Sequence, residues 1–176
     1  MERIGSKTVY DGKLTDVRMD GFRRADGEEV EREVVSHPGA VGIVAHDDRV
    51  VYLVRQPREA VEEDDLLEIP AGKLDEEGES RLEAAQRELA EEIGKSAAKW
   101  RELESFYTTP GWADEDVTLF AATGLADATA EADHTERIEV VEWPLSELDD
   151  AIGECADAKS LIGLLLLRDE LRRDNA

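Results

Sequence analysis

Cysteine is nearly absent from this chain of 176 residues: Cys155 stands alone, so no internal disulfide can form. No second Cys or His lies at ligand spacing from it, which leaves the role of a small packed hydrophobe. Long apolar runs are missing as well. No stretch of about 18 apolar residues is present to span a bilayer as a helix. The opening residues MERIGSKTVYDGK also lack the apolar segment of a secretion signal. These absences predict a cytoplasmic protein without a membrane anchor. Positive charge is scarce too. Lys and Arg total 21 against 44 Asp and Glu, a formal net charge of −23. Such a balance repels phosphate backbones and anionic lipid surfaces at long range, which excludes nucleic acid and membrane as partners.

What is abundant is carboxylate, spread along the whole chain rather than gathered in a tail. With only six Lys among the basic residues, the composition is like that of proteins adapted to high salt, where ions screen self-repulsion. It also means that no single Glu is informative by itself.

No repeat, low-complexity segment or Pro/Gly/Ser linker interrupts the chain. Residues 7–36 alternate around the turn signal ADGEE, which predicts two or three antiparallel strands. GAVGIVAHDDRVVYLVRQP reads as a hairpin of two apolar strands turning at Asp47 and Asp48. A loop through REAVEEDD then leads to LLEIPAG, a short buried strand broken by Pro70 and Gly72. Residues 81–93 have helical periodicity, with Leu82, Ala85, Leu89 and Ile93 on one stripe and Gly94 placed to end the helix. Two further strand-like segments, KWRELESFYTTP and EDVTLFAATGL, precede a polar loop, the strand IEVVEWPL and two closing helices. Strands and helices in this order predict an α/β sandwich with a mixed sheet.

Within the helix, Glu88, Glu91 and Glu92 are three and four residues apart and project beside the apolar stripe. Like charges at that spacing repel unless a cation lies between them. A hard, oxygen-seeking divalent ion, Mg²⁺ or Mn²⁺, would turn the penalty into a gain. A solvated acidic face is the competing reading of ELAEE by itself. The wider set Gly72, Glu79, Arg87, Glu88, Leu89, Glu91, Glu92 and Gly94 decides for the metal site, because it resembles the Nudix box. Two positions depart from that pattern: six residues rather than five separate Gly72 from Glu79, and Lys95 occupies the last apolar position. Both lie outside the helical Arg-Glu-x-x-Glu-Glu core.

The resemblance extends through EREVVSHPGAVGIV, VYLVRQPRE, LLEIPAGKL and SFYTTPGWADE, and covers roughly residues 8 to 170. These segments, with Pro110 sixteen residues beyond Gly94, are similar to the ADP-ribose pyrophosphatase branch of the Nudix hydrolases. The resemblance implies a Nudix-type α/β/α sandwich in residues 39–176 and an antiparallel strand extension in residues 1–38 that serves dimerisation and substrate binding. It implies Mg²⁺-dependent cleavage of the diphosphate of ADP-ribose or a related nucleotide sugar. Another nucleotide substrate, and a non-catalytic ADP-ribose sensor, are the alternatives.

Position by position, Glu88, Glu92, Glu91 and the Ala71 carbonyl would hold the ions, with Arg87 pairing to Glu79 and orienting the carboxylates. Arg58 would reach the diphosphate with its planar fork. Arg32 and Glu33 would approach adenine, with Phe22 or Trp112 as candidate stacking partners. Glu68 would line the substrate pocket, and Glu115, five beyond Pro110, would bind ribose hydroxyls or the metal shell. The general base stays open among Glu136, His134 and a box glutamate. Relatives in this branch imply a homodimer with Arg32 near the partner's site.

Overall fold

The computed structural model describes residues 1–13, 15–129 and 137–174. The chain forms two compact units, one of residues 1–39 with 106–116, the other of residues 40–105 with 117–176.

The first unit is built on β1 (Glu2–Asp11), β2 (Asp16–Arg23) and β3 (Glu29–Ser36), antiparallel in that order. Gly27, at φ 89°, turns the β2–β3 hairpin, and the Gly27 N–H donates to the Arg24 carbonyl at 3.0 Å. Strand β1 starts five residues before the alternation becomes legible. Its ten residues are all exposed, so neither face carries an apolar signal. Asp20 of β2 is buried, and burial pushes its carboxyl up. The Ser6 hydroxyl at 2.5 Å, Arg18 and Arg3 outweigh that and hold it below the usual carboxylate range. The segment 106–116 joins this unit through β3, with Val35 N–H on the Trp112 carbonyl at 2.8 Å and Asp114 N–H on the Val35 carbonyl at 3.1 Å.

The second unit carries a mixed seven-stranded sheet. Its strands are β4 (Ala40–His46), β5 (Val50–Arg58), β6 (Glu63–Glu68), β7 (Ala71–Lys73), β8 (Lys95–Tyr107), β9 (Asp116–Asp127) and β10 (Glu139–Pro144). The main order is β10-β5-β4-β9-β8, with β6 on β5 and β7 on β4. Asp47 makes the β4–β5 turn by accepting the N–H groups of Arg49 and Val50 at 2.7 and 2.9 Å. Those bonds, Val50 foremost, also lower its pKa. Part of the expected loop after β5 is strand: a short 3-10 turn at Glu59–Val61 leads directly into β6 at Glu63. Backbone pairing with β5 overrides the poor strand propensity of Glu and Asp there.

Helix α1 (Arg81–Ile93) connects β7 to β8, while β4 and β9 run parallel, Ala40 opposite Val117 through Ala45 opposite Ala122. The two-residue period of the strands sorts their side chains onto two faces. Val41, Ile43 and Ala45 with Phe120 and Ala122 pack against Ala84, Ala85, Leu89 and Ile93 of α1. The alternate residues Val44 and Leu119 meet α3 (Ala158–Asp174), where Gly163 approaches so closely that a Cβ would fall 2.8 Å from Val44 Cγ2. Helices on both faces make the α/β/α layers the sequence predicts. The remaining helix, α2 (Leu148–Glu154), packs on α3.

One residue of the predicted apolar stripe is misplaced. Leu82 is exposed, and Ala84 is fully buried instead. The buried face of α1 is thus rotated toward the row Ala84, Glu88, Glu92, spaced four apart, which carries two carboxylates to the sheet. Cys155 is buried, and burial, with Asp157 and Glu154 nearby, pushes its thiol up to about 12. It packs as a hydrophobe and is no nucleophile. Among the described residues no helix is long and apolar enough to cross a membrane.

Candidate active site

Local chemistry fixes both ends of α1. The Ser80 side chain accepts the Glu83 N–H and the Glu83 carboxylate accepts the Ser80 N–H, a reciprocal capping box. Gly94, in the left-handed region at φ 65°, returns its N–H to the Ala90 carbonyl at 3.1 Å. Arg81, the first helical residue, ties this end to the sheet through the Thr118 hydroxyl at 3.0 Å. With both ends set, the direction of the acidic row is set.

Arg87 is the hub of that row. It forks onto Glu79 with Nε and Nη2 at 3.0 and 3.1 Å, while Nη1 donates to Glu88 Oε1 at 2.7 Å and Glu91 Oε2 at 3.1 Å. The hydrogen bond to Glu79, followed by the attraction of Glu88, raises the Arg87 pKa well above its already high ordinary value. One guanidinium therefore holds three carboxylates in register, and the extra residue between Gly72 and Glu79 does not prevent the Arg87–Glu79 pairing.

Strand β7 supplies the opposite wall. Ala71 N–H donates to Glu92 Oε2 at 3.0 Å. The Glu88 carboxyl lies over Gly72 so closely that a Cβ there would sit 1.9 Å from both its Cδ and Oε1. Glycine is required at this point by close approach, not by backbone conformation. Pro70 ahead of it is anchored by its carbonyl, which accepts the Ile43 N–H at 2.8 Å.

The donor set fits a hard divalent ion: three carboxylates of one helix face beside the backbone of Ala71, with no Cys or His among them. Among the described residues no three ligating side chains form a preformed cage. Arg87 supplies positive charge between Glu88 and Glu91.

Glu68, the last residue of β6, is a buried carboxylate at 2 % exposure. Arg58 forks onto it, Nε at 3.0 Å from Oε1 and Nη2 at 2.5 Å from Oε2, and the Gln56 amide donates to Oε2 at 3.3 Å. Arg58 and Gln56 also line a cleft of about 820 Å³ with Glu59, Glu62, Glu63, Asp64 and Arg137. Arg58 and Glu68, read from the sequence as separate substrate contacts, are one ion pair. Gln56, two residues before Arg58 on the same strand, is a partner that sequence reasoning missed, although its i, i+2 spacing is legible.

The other expected residues lie in the first unit. Arg32, Glu33 and Pro110 line a 540 Å³ pocket with Phe22, Trp112 and Arg18. Glu115 accepts the Thr108 hydroxyl at 2.6 Å and lies 3.6 Å from His37 Nδ1. His134 and Glu136 lie outside the described residues.

The fold, the carboxylate row and its arginine mark out a candidate site, and comparison with known proteins gives the chain a family. The NUDIX domain family matches residues 36–161. The chain is 36 % identical over 170 residues to an ADP-ribose pyrophosphatase of Bacillus subtilis, covering 94 % of this chain and 91 % of that protein. It is 39 % identical over 169 residues to an ADP-ribose pyrophosphatase of Mycobacterium tuberculosis, covering 93 % and 81 %. A crystal structure described as an ADP compounds hydrolase superposes with a TM-score of 0.84 at 26 % identity, covering 98 % of this chain and 95 % of that one. The chain belongs to the Nudix family.

Proposed function

We propose that this protein is a metal-dependent pyrophosphohydrolase that splits the diphosphate of ADP-ribose, or of a closely related nucleotide sugar, into AMP and a sugar phosphate. The observation that carries the reading is the Arg87 hub, which gathers Glu79, Glu88 and Glu91, with the Glu88 carboxyl lying over the glycine backbone at Gly72. Glu88, Glu91 and Glu92 repel one another at their helical spacing, so the row calls for positive charge beside it. Similarity to two ADP-ribose pyrophosphatases selects the substrate.

Glu88, Glu92, Glu91 and the Ala71 carbonyl would hold Mg²⁺ or Mn²⁺, which neutralises phosphoryl charge and acidifies a bound water. Arg87 keeps the carboxylates oriented. Arg58, held by Glu68, presents its charge in a cleft otherwise rich in Glu and Asp, and so provides a contact for the diphosphate. Removal of the water's proton falls to Glu136, His134 or a box glutamate.

The test is AMP release from ADP-ribose with Mg²⁺ in molar KCl. Steady turnover, abolished by EDTA and restored by excess Mg²⁺ or Mn²⁺, is the expected result; turnover indifferent to EDTA would remove the metal from the reaction.

Residues 1–38 are proposed to serve assembly, with a homodimer in which Arg32 and Glu33 serve the partner's adenine pocket. Support comes from β1, exposed along its length with Ile4, Val9 and Tyr10 in the open. Sedimentation should give twice the chain mass of 19.6 kDa, and a monomer at micromolar concentration defeats this arrangement. The charge of −23 further predicts a cytoplasm of high salt. Secondary structure should fall sharply on transfer from molar KCl to dilute buffer, and unchanged circular dichroism would remove the prediction.

A further inference from the structure

Arg58 meets any ligand in its cleft with two of its nitrogens already given to Glu68. Glu68 is buried, and a guanidinium drawn toward a diphosphate would leave that carboxylate short of positive charge in a place where such charge is costly. A second cation comes from 91 positions along the chain. Lys159, at the start of α3, places Nζ 3.2 Å from Glu68 Oε2 and 2.9 Å from Asp157 Oδ1.

The surroundings hold Lys159 in place. Asp157 caps α3 by accepting the Ser160 N–H at 3.1 Å, and its other oxygen is buried with no hydrogen-bond partner among the described residues. Ser160 is fully buried and accepts the Ile69 N–H at 2.9 Å. Two consecutive residues of α3 thus grip Glu68 and Ile69, the pair that leads into Pro70 and Ala71. Lys159 Nζ lies between the Glu68 and Asp157 carboxylates, and its removal takes one positive charge from beside both.

Resting on the diphosphate reading above, we infer that Lys159 is a positioning residue for diphosphate binding: it neutralises Glu68 and Asp157, so that Arg58 retains its charge for the ligand. Lys159 touches no substrate in this account. Its effect reaches the ligand through Glu68 and Arg58, and it falls on affinity rather than on the chemical step.

The experiment is calorimetric binding of ADP-ribose in EDTA, where no turnover occurs, to the parent, Lys159→Met, Lys159→Arg and the double variant Asp157→Asn with Lys159→Met. Lys159→Met should weaken binding about tenfold, the scale set by one lost charge partner, with Lys159→Arg within about threefold of the parent. The double variant restores the charge balance, and Asn caps a helix as well as Asp, so its affinity should also return to within about threefold. Unchanged binding in Lys159→Met overturns the inference. So does a tenfold loss that neither companion recovers, which marks a packing role. Should Lys159→Met fail to fold, the double variant decides on the same threefold limit. Binding without AMP release on adding Mg²⁺ defeats the functional reading and leaves this one standing; a parent that binds neither ADP-ribose nor inorganic pyrophosphate overturns this one.

Discussion

Glu92→Gln is expected to lower the kcat of AMP release about 10²- to 10³-fold, the loss typical of removing one group that stabilises charge in the transition state. The substitution keeps shape and volume. The amide oxygen it introduces can still accept the Ala71 N–H that Glu92 Oε2 accepts at 3.0 Å, so β7 stays in place. What disappears is one of the three negative charges of the helix row Glu88, Glu91 and Glu92, and with it a candidate donor for a divalent ion. Thermal stability should hold or rise slightly, because one member of a repelling row has been neutralised. The measurement pairs kcat and KM with a thermal melt. A variant that turns over like the parent would reduce Glu92 to a structural acceptor for the β7 backbone.

Gly72→Ala should produce a loss of similar size by a different route. An ideal Cβ at Gly72 would lie 1.9 Å from Glu88 Cδ and Oε1, far inside contact distance. The backbone at Gly72 is not in the left-handed region, so alanine brings no conformational strain of its own. The whole conflict falls on the Glu88 carboxyl, which must swing away from Arg87 Nη1, now at 2.7 Å. Activity should fall about 100-fold, and the Mg²⁺ concentration for half-maximal rate should rise about tenfold or more. Gly153→Ala is the control. A Cβ there meets nothing within 4 Å and lies in α2, so activity should stay unchanged. Equal activities of Gly72→Ala and the control would mean that Glu88 has no fixed place in the reaction.

The helix that bears the site was legible because its signals are local. Ser80 and Glu83 cap it, Gly94 stops it, and the bounds 81–93 agree with the structure. The β4–β5 hairpin was legible for the same reason, through an apolar alternation on both sides of an Asp turn. Where the reading missed, the deciding partner was distant or the signal was absent. The alternation in β1 is invisible because both its faces are exposed. Leu82 was assigned to the stripe and Ala84 left off because a helical wheel gives the width of an apolar face, not the side toward which the sheet rotates it. The pairing of Arg58 with Glu68 went unread, and Lys159 lies 91 positions from Glu68. No periodicity carries information over that distance.

The grip of α3 on Glu68 and Ile69 has a consequence for the order in which the protein is made. Chains fold from the amino end as they leave the ribosome. The acidic row, Gly72 and Arg87 lie within a span of 21 residues and can meet early, since closing a short loop costs little entropy. Lys159 and Ser160 emerge long after them. Until they do, Glu68 is without one of its two cations and the Ile69 amide without its acceptor, so the nascent chain carries the chemical groups without the frame that aligns them. A chain that ends before α3 has the acidic row but lacks both the Ser160 acceptor of the Ile69 amide and the Lys159 partner of Glu68.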